Sequence, residues 1–180
     1  MRRSHWRMVG LGSACLVWAT VVHAETGRAI LQATSDGSSV TGAATLTDTP
    51  GGLTVEVQVS HVSPGKHGLH IHEYGACGDG GRAAGSHYNP SGVAHGFLPR
   101  DGVQQAHPGD LGNIEVASEG TGTLALVLPG VSLSGGAYSV AGRAIVLHEL
   151  VDDFGQPTGN AGGRIGCGTI LITASESVRE

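Results

Sequence analysis

The feature that most constrains this chain is an alternation of apolar and polar residues with a period of two. Leu53, Val55, Val57 and Val59 alternate with Thr54, Glu56, Gln58 and Ser60, and Leu124, Leu126 and Leu128 repeat the pattern. Such runs make strands with one face inward and one face wet. The spacing predicts eight strands, near residues 28–33, 41–48, 53–60, 67–72, 112–117, 123–128, 143–148 and 168–173. Glycine and proline mark the joints, as in Pro50-Gly51-Gly52, Pro64-Gly65 and Pro129-Gly130. No segment after residue 24 carries a 3.6-residue period, so the expected fold is an antiparallel sandwich or barrel. Composition agrees: only 14% of residues are charged, too few for a coiled coil or long helical bundle. The 31 glycines have no three-residue repeat, which excludes collagen.

The first 24 residues read as a leader. Arg2, Arg3 and Arg7 precede an uncharged, mostly apolar stretch over residues 8–22, and Val22-His23-Ala24 offers a small-residue cleavage site. This is the pattern of a secretory signal peptide, and the stretch falls short of the ~20 residues that cross a bilayer. Cleavage after Ala24 leaves residues 25–180 as a single domain with no membrane span. It also removes three arginines and no acid, so 10 basic against 15 acidic residues become seven against 15. A net charge of −8 gives no footing for nucleic acid. Cys77 and Cys167 remain, and an even pair in an exported chain reads as one disulfide. The expected address is periplasmic or secreted.

Two segments escape the strand pattern, residues 73–110 and 151–166. Structureless stretches this long in a compact domain are usually functional. Histidines gather in and beside them. Eight of the ten follow the leader: His61, His67, His70, His72, His87, His95, His107 and His148. His70 and His72 share one face of a strand, with Leu69 and Ile71 turned the other way into the core. His148 ends another strand. Imidazoles so placed make part of a planar ligand set of the kind that copper takes. His107-x-x-Asp110 adds an imidazole and a carboxylate, and with His87 and His95 could complete a tetrahedral zinc site. His61 and His67 read as ordinary surface or structural residues. Arg82, Arg100 and Lys66 read as solvated surface charges.

Five blocks then carry a specific resemblance: Gly68-Leu-His-Ile-His-Glu-Tyr-Gly75, Gly85-Ser-His-Tyr-Asn-Pro90, His107-Pro-Gly-Asp-Leu-Gly-Asn113, Gly142-Arg-Ala-Ile-Val-Leu-His-Glu149 and Gly159-Asn-Ala-Gly-Gly-Arg-Ile-Gly-Cys167. In these residues and their order the chain resembles the copper/zinc superoxide dismutase family. The run from Glu73 to Cys77 looks closer to its bacterial secreted members than to the animal cytosolic ones. The resemblance implies an eight-stranded antiparallel Greek-key β-barrel with long metal-binding and electrostatic loops. It implies one copper per subunit, cycling between Cu(II) and Cu(I), on His70, His72, His87 and His148. It implies one Zn(II) per subunit on His87, His95, His107 and Asp110, with His87 shared between the metals.

By the same resemblance, Asp152 links a copper-bound to a zinc-bound histidine, Arg164 guides the anion, and Cys77 pairs with Cys167. The implied reaction converts two superoxide anions and two protons to O₂ and H₂O₂, with His87 and Arg164 as the catalytic residues. A homodimer is compatible with the family. The segment from Val151 to Gly163 is shorter than in the animal cytosolic members and lacks their extra charged guide residues. The alternative is a non-enzymatic copper or zinc buffer or delivery protein on the same fold. A zinc hydrolase would need an open zinc position, which four protein ligands deny.

Overall fold

The computed structural model describes residues 24–173. The leader assigned to residues 1–24 thus lies, but for Ala24, outside the described residues. Nine strands form in chain order: β1 (Thr26–Ala33), β2 (Thr41–Thr49), β3 (Gly52–Ser60), β4 (Gly65–His72), β5 (Asp110–Val116), β6 (Thr121–Leu128), β7 (Ala144–His148), β8 (Arg164–Thr169) and β9 (Leu171–Thr173). Their order is β2-β3-β6-β5-β4-β7-β8-β1, and a β1–β2 ladder closes the ring. Every pairing between these strands is antiparallel. The result is an eight-stranded barrel in which β9 continues the line of β8 along β1.

Alternation builds this barrel as expected. In β3 the side chains of Leu53, Val55, Val57 and Val59 are buried while Glu56 and Gln58 are exposed. They meet Leu31, Leu46, Leu69, Ile71, Ile114, Leu128, Ile145 and Leu147 in one core. Each such side chain contributes roughly 1.5–3 kcal/mol on leaving water.

Three expectations need correction. The final strand predicted at 168–173 starts earlier, at Arg164, and breaks at Ile170, whose N–H turns to the carbonyl of Arg143. Cys167, one position before the predicted start, therefore sits inside the strand. Asp110 begins β5 and is not part of the preceding loop. The outward faces of β4 and β7 are not wet: β4 is buried from His67 to His72, and β7 throughout, because residues 73–109 and 149–163 fold over them.

The first long loop contains one 3₁₀ turn at Arg82–Ala84 and one short helix, α1 (Leu98–Asp101), which Pro99 opens and Gly102 ends. It lies against β4 at Gly109, where an added Cβ would stand 2.2 Å from the Ile71 carbonyl oxygen. With no side chain in the way, the Ile71 N–H donates to the Gly109 carbonyl at 2.8 Å. No helix of the described residues is long and apolar enough to cross a membrane.

Candidate metal centre

Strand register assembles the site. The ladders pair His70 with Asp110 across β4–β5 and His148 with Arg164 across β7–β8. An isolated bridge pairs His72 with His87. Register shifts interrupt the ladders just before His70 and between Leu147 and His148. Such irregularities re-aim side chains at a sheet face, and here both fall at histidines.

His70, His72, His87 and His148 bring one nitrogen each within 4.8 Å of one another, and so do His87, His95, His107 and the Asp110 carboxylate. All seven residues are buried. His87 belongs to both groups, and its ring stacks on His70 with centroids 3.9 Å apart.

Hydrogen bonds fix which nitrogen of each ring is free. His72 Nδ1 donates to the Gly85 carbonyl at 3.0 Å and His148 Nδ1 to the Gly162 carbonyl at 3.4 Å. Their Nε2 lone pairs then face each other at 3.3 Å. That contact is repulsive alone and favourable around a cation. His70 Nε2 donates to Asp152 Oδ2 at 2.8 Å, which leaves its buried Nδ1 without a partner. His95 Nε2 meets both Asp152 oxygens at 3.0 Å, and His107 Nε2 faces the Val93 carbonyl at 3.2 Å.

The Nδ1 atoms of His87, His95 and His107 bracket Asp110 Oδ1 at 2.9–3.0 Å. Those of His95 and His107 stand off the hydrogen-bond axis. Ligands on a tetrahedral zinc ion lie ~3.3 Å apart, so this cluster has nearly that size. Asp110 Oδ2 is held separately by the N–H groups of Gly96 and His107. Two buried carboxylates among imidazoles give the centre a charge that a divalent cation would offset. The residues fit both metals: nitrogens alone in one set, three nitrogens and one oxygen in the other.

Burial holds His70, His72 and His148 neutral, with pKa values of about 3, 2 and 4 against an ordinary 6.5. Burial opposes the charge on His95 too, but hydrogen bonds to Asp110 and Asp152 outweigh it and raise the value to about 9. For the lowered rings, the unfolded chain takes protons below pH 6.5 that the fold refuses, so their stabilisation is lost as pH falls. The contribution of His95 is complete below 6.5 and lost as pH rises through 9. These groups place maximum stability of the metal-free chain near pH 6.5. Urea unfolding at pH 5, 6.5 and 9 should give the highest midpoint at 6.5, and equal midpoints would refute this balance.

Arg164 faces the same cavity, of about 430 Å³, as His72, His87 and His148. Its Nη1 and Nη2 donate to the carbonyls of Gly81 and Gly85 at 2.6 and 2.5 Å. Cys77 and Cys167 form a disulfide, with Cα atoms 5.6 Å apart. Arg143 braces the first loop: it donates to the Glu73 carbonyl at 2.7 Å and lies 3.5 Å above the Tyr88 ring centroid.

Of the bystanders, Arg82 and Arg100 are exposed and ion-paired with Asp79 and Asp101. His61 is exposed. His67 takes the structural of the two expected roles: it is buried, and its ring nitrogens sit 2.9 Å from the carbonyl oxygens of His148 and Ser63. The signal for this was its parity with Leu69 and Ile71 on the inward face of β4. Gln156, which touches His95, carried no signal in the sequence.

Comparison with known proteins agrees with the geometry. Residues 40–170 match the family model for copper/zinc superoxide dismutase. An extracellular superoxide dismutase [Cu-Zn] of Caenorhabditis elegans is 46% identical over 125 residues, covering 66% of this chain and 55% of that protein. The chain thus spans about half the length of this curated relative. The crystal structure of the clock protein EA4 superposes with a TM-score of 0.73 at 36% identity, covering 87% of this chain and 100% of the other. Register, buried ligand clusters and a family match over most of the chain lead to one assignment: the chain belongs to the copper/zinc superoxide dismutase family.

Proposed function

We propose that this chain is an exported copper/zinc superoxide dismutase that converts two superoxide anions and two protons to O₂ and H₂O₂. The observation that carries the reading is the cluster of four imidazoles, three of which (His72, His87 and His148) open with the half-buried Arg164 onto one cavity. Copper on His70, His72, His87 and His148 would supply one-electron redox chemistry, while redox-silent zinc on His87, His95, His107 and Asp110 would organise the first loop.

Each residue then has a task. Arg164 spends two of its five N–H donors on loop carbonyls. The remainder draw and orient the anion through charge-assisted hydrogen bonds. Bound copper would accept and return the electron, and His87 would hold a proton between the two halves at Nε2, the ring nitrogen turned away from Asp110. Solvent delivers the second proton. Asp152 holds the rings of His70 and His95 together, as carboxylates beside metal ligands commonly do.

Export is supported by the leader and by the disulfide, which persists in oxidising compartments. A periplasmic address rests on the run from Glu73 to Cys77.

Arg164→Ala should lower kcat/KM for superoxide roughly tenfold and flatten its fall with ionic strength, because a focused local charge steers the substrate despite the acidic surface. Stopped-flow rates over a salt series check this, and an unchanged rate and slope would remove Arg164 from the mechanism. A second reading, a metal buffer or delivery protein, draws on the likeness to the clock protein EA4. It predicts a fully metallated chain that leaves superoxide untouched, and metal analysis beside a superoxide assay separates the two.

A further inference from the structure

The short second loop touches His95 with every other residue. Asp152 meets the ring at Nε2. Phe154 stacks on the ring at 6.2 Å between centroids and 22° between planes. Gln156 grips the backbone twice: its Oε1 accepts the His95 N–H at 3.0 Å and its Nε2 donates to the His95 carbonyl at 2.9 Å. His95 lies outside any helix or strand, and among the described residues no other group bonds its N–H or C=O. A buried backbone needs partners for both, and here one side chain from the other loop supplies them.

The segment between Asp152 and Gln156 is held under strain. Phe154 has φ +60°, a conformation unfavourable for a bulky residue and sustained only where surroundings dictate it. The Phe154 N–H donates to Asp152 Oδ1 at 2.8 Å, so the bend that brings Gln156 back to His95 is anchored on the same carboxylate.

We infer that Gln156 is a positioning residue for the zinc set: through its two backbone bonds it fixes His95 Nδ1 against Asp110. The inference rests on the zinc-set assignment above. It makes the second loop, beyond lining the anion cavity, the holder of a ligand borne by the first.

The test is Co(II) binding to the full chain. Wild type should take one cobalt with the visible absorption of a four-coordinate site. Gln156→Met, similar in length but unable to make either bond, should weaken Co(II) retention against a chelator by roughly 10–100-fold and shift the band, with copper content unchanged. Asp153→Ala serves as the control, since it removes bonds to Gly155 and Asn160 within the same loop and none to His95. It should leave cobalt affinity and spectrum at wild-type values. Equal cobalt binding by wild type and Gln156→Met, or an equal loss in Asp153→Ala, would overturn the role of Gln156. A wild-type chain with no four-coordinate cobalt band would overturn the zinc-set assignment itself, a failure visible before any variant is made.

Discussion

His87→Ala should strip both metals at once. Its ring belongs to both ligand groups, stacked on His70 on one side and 3.0 Å from Asp110 on the other. Loss of a residue beside a ligand costs roughly 10–100-fold in metal affinity, so loss of a shared ligand should exceed that at each site. Dismutation should fall below about 1% of wild type. The comparison set matters more than the single value. His72→Ala touches only the nitrogen set and His107→Ala only the mixed set. Metal content after dialysis against a fixed chelator should show one metal lost in each of those variants and two in His87→Ala. If His87→Ala keeps either metal at wild-type occupancy while its near-ultraviolet dichroism stays native, the ring is not shared.

Paired Cys77→Ser and Cys167→Ser substitutions should give the second largest effect. The cysteines lie 90 positions apart, and opening a loop of that length costs roughly 4–5 kcal/mol in the chain-entropy model. For a domain of this size the melting temperature should drop on the order of 10–15 °C. The consequence should reach the cavity as well. Cys167 stands three positions after Arg164 in β8, and Arg164 bonds to Gly81 and Gly85 in the loop that Cys77 anchors. Freed from β8, that loop should hold the Gly85 carbonyl, and with it His72 Nδ1, less firmly. Calorimetry and chelator-challenged copper retention check both parts. A serine pair with unchanged melting and retention would show that the barrel and α1 hold the loop without the bridge.

Much of this was legible in the residues, and the exceptions have physical causes. β3 announced itself because one of its faces is wet. β7 could be read only as far as its alternation allowed, since Ala144, Val146 and His148 lie under the loops and are as buried as Ile145 and Leu147. Alternation cannot distinguish a wet face from a roofed one. The break at Ile170 depends on a backbone bond to Arg143, which no local pattern encodes. The ligand clusters were accessible through residue type, spacing and family likeness, and the structure gathers them. Gln156 was invisible because an amide gripping a backbone 61 positions away leaves no periodic trace. His67 could have been found, since it shares the parity of Leu69.

The cross-strand pairing of His70 with Asp110 and of His148 with Arg164 has a last consequence. A slip of one residue in either ladder would turn the imidazole toward the barrel interior and its apolar neighbour outward. Misthreaded barrels would therefore lack a cation site altogether, and only correctly zipped molecules would be locked by their ions. Bound metals would then act as proofreaders of strand alignment.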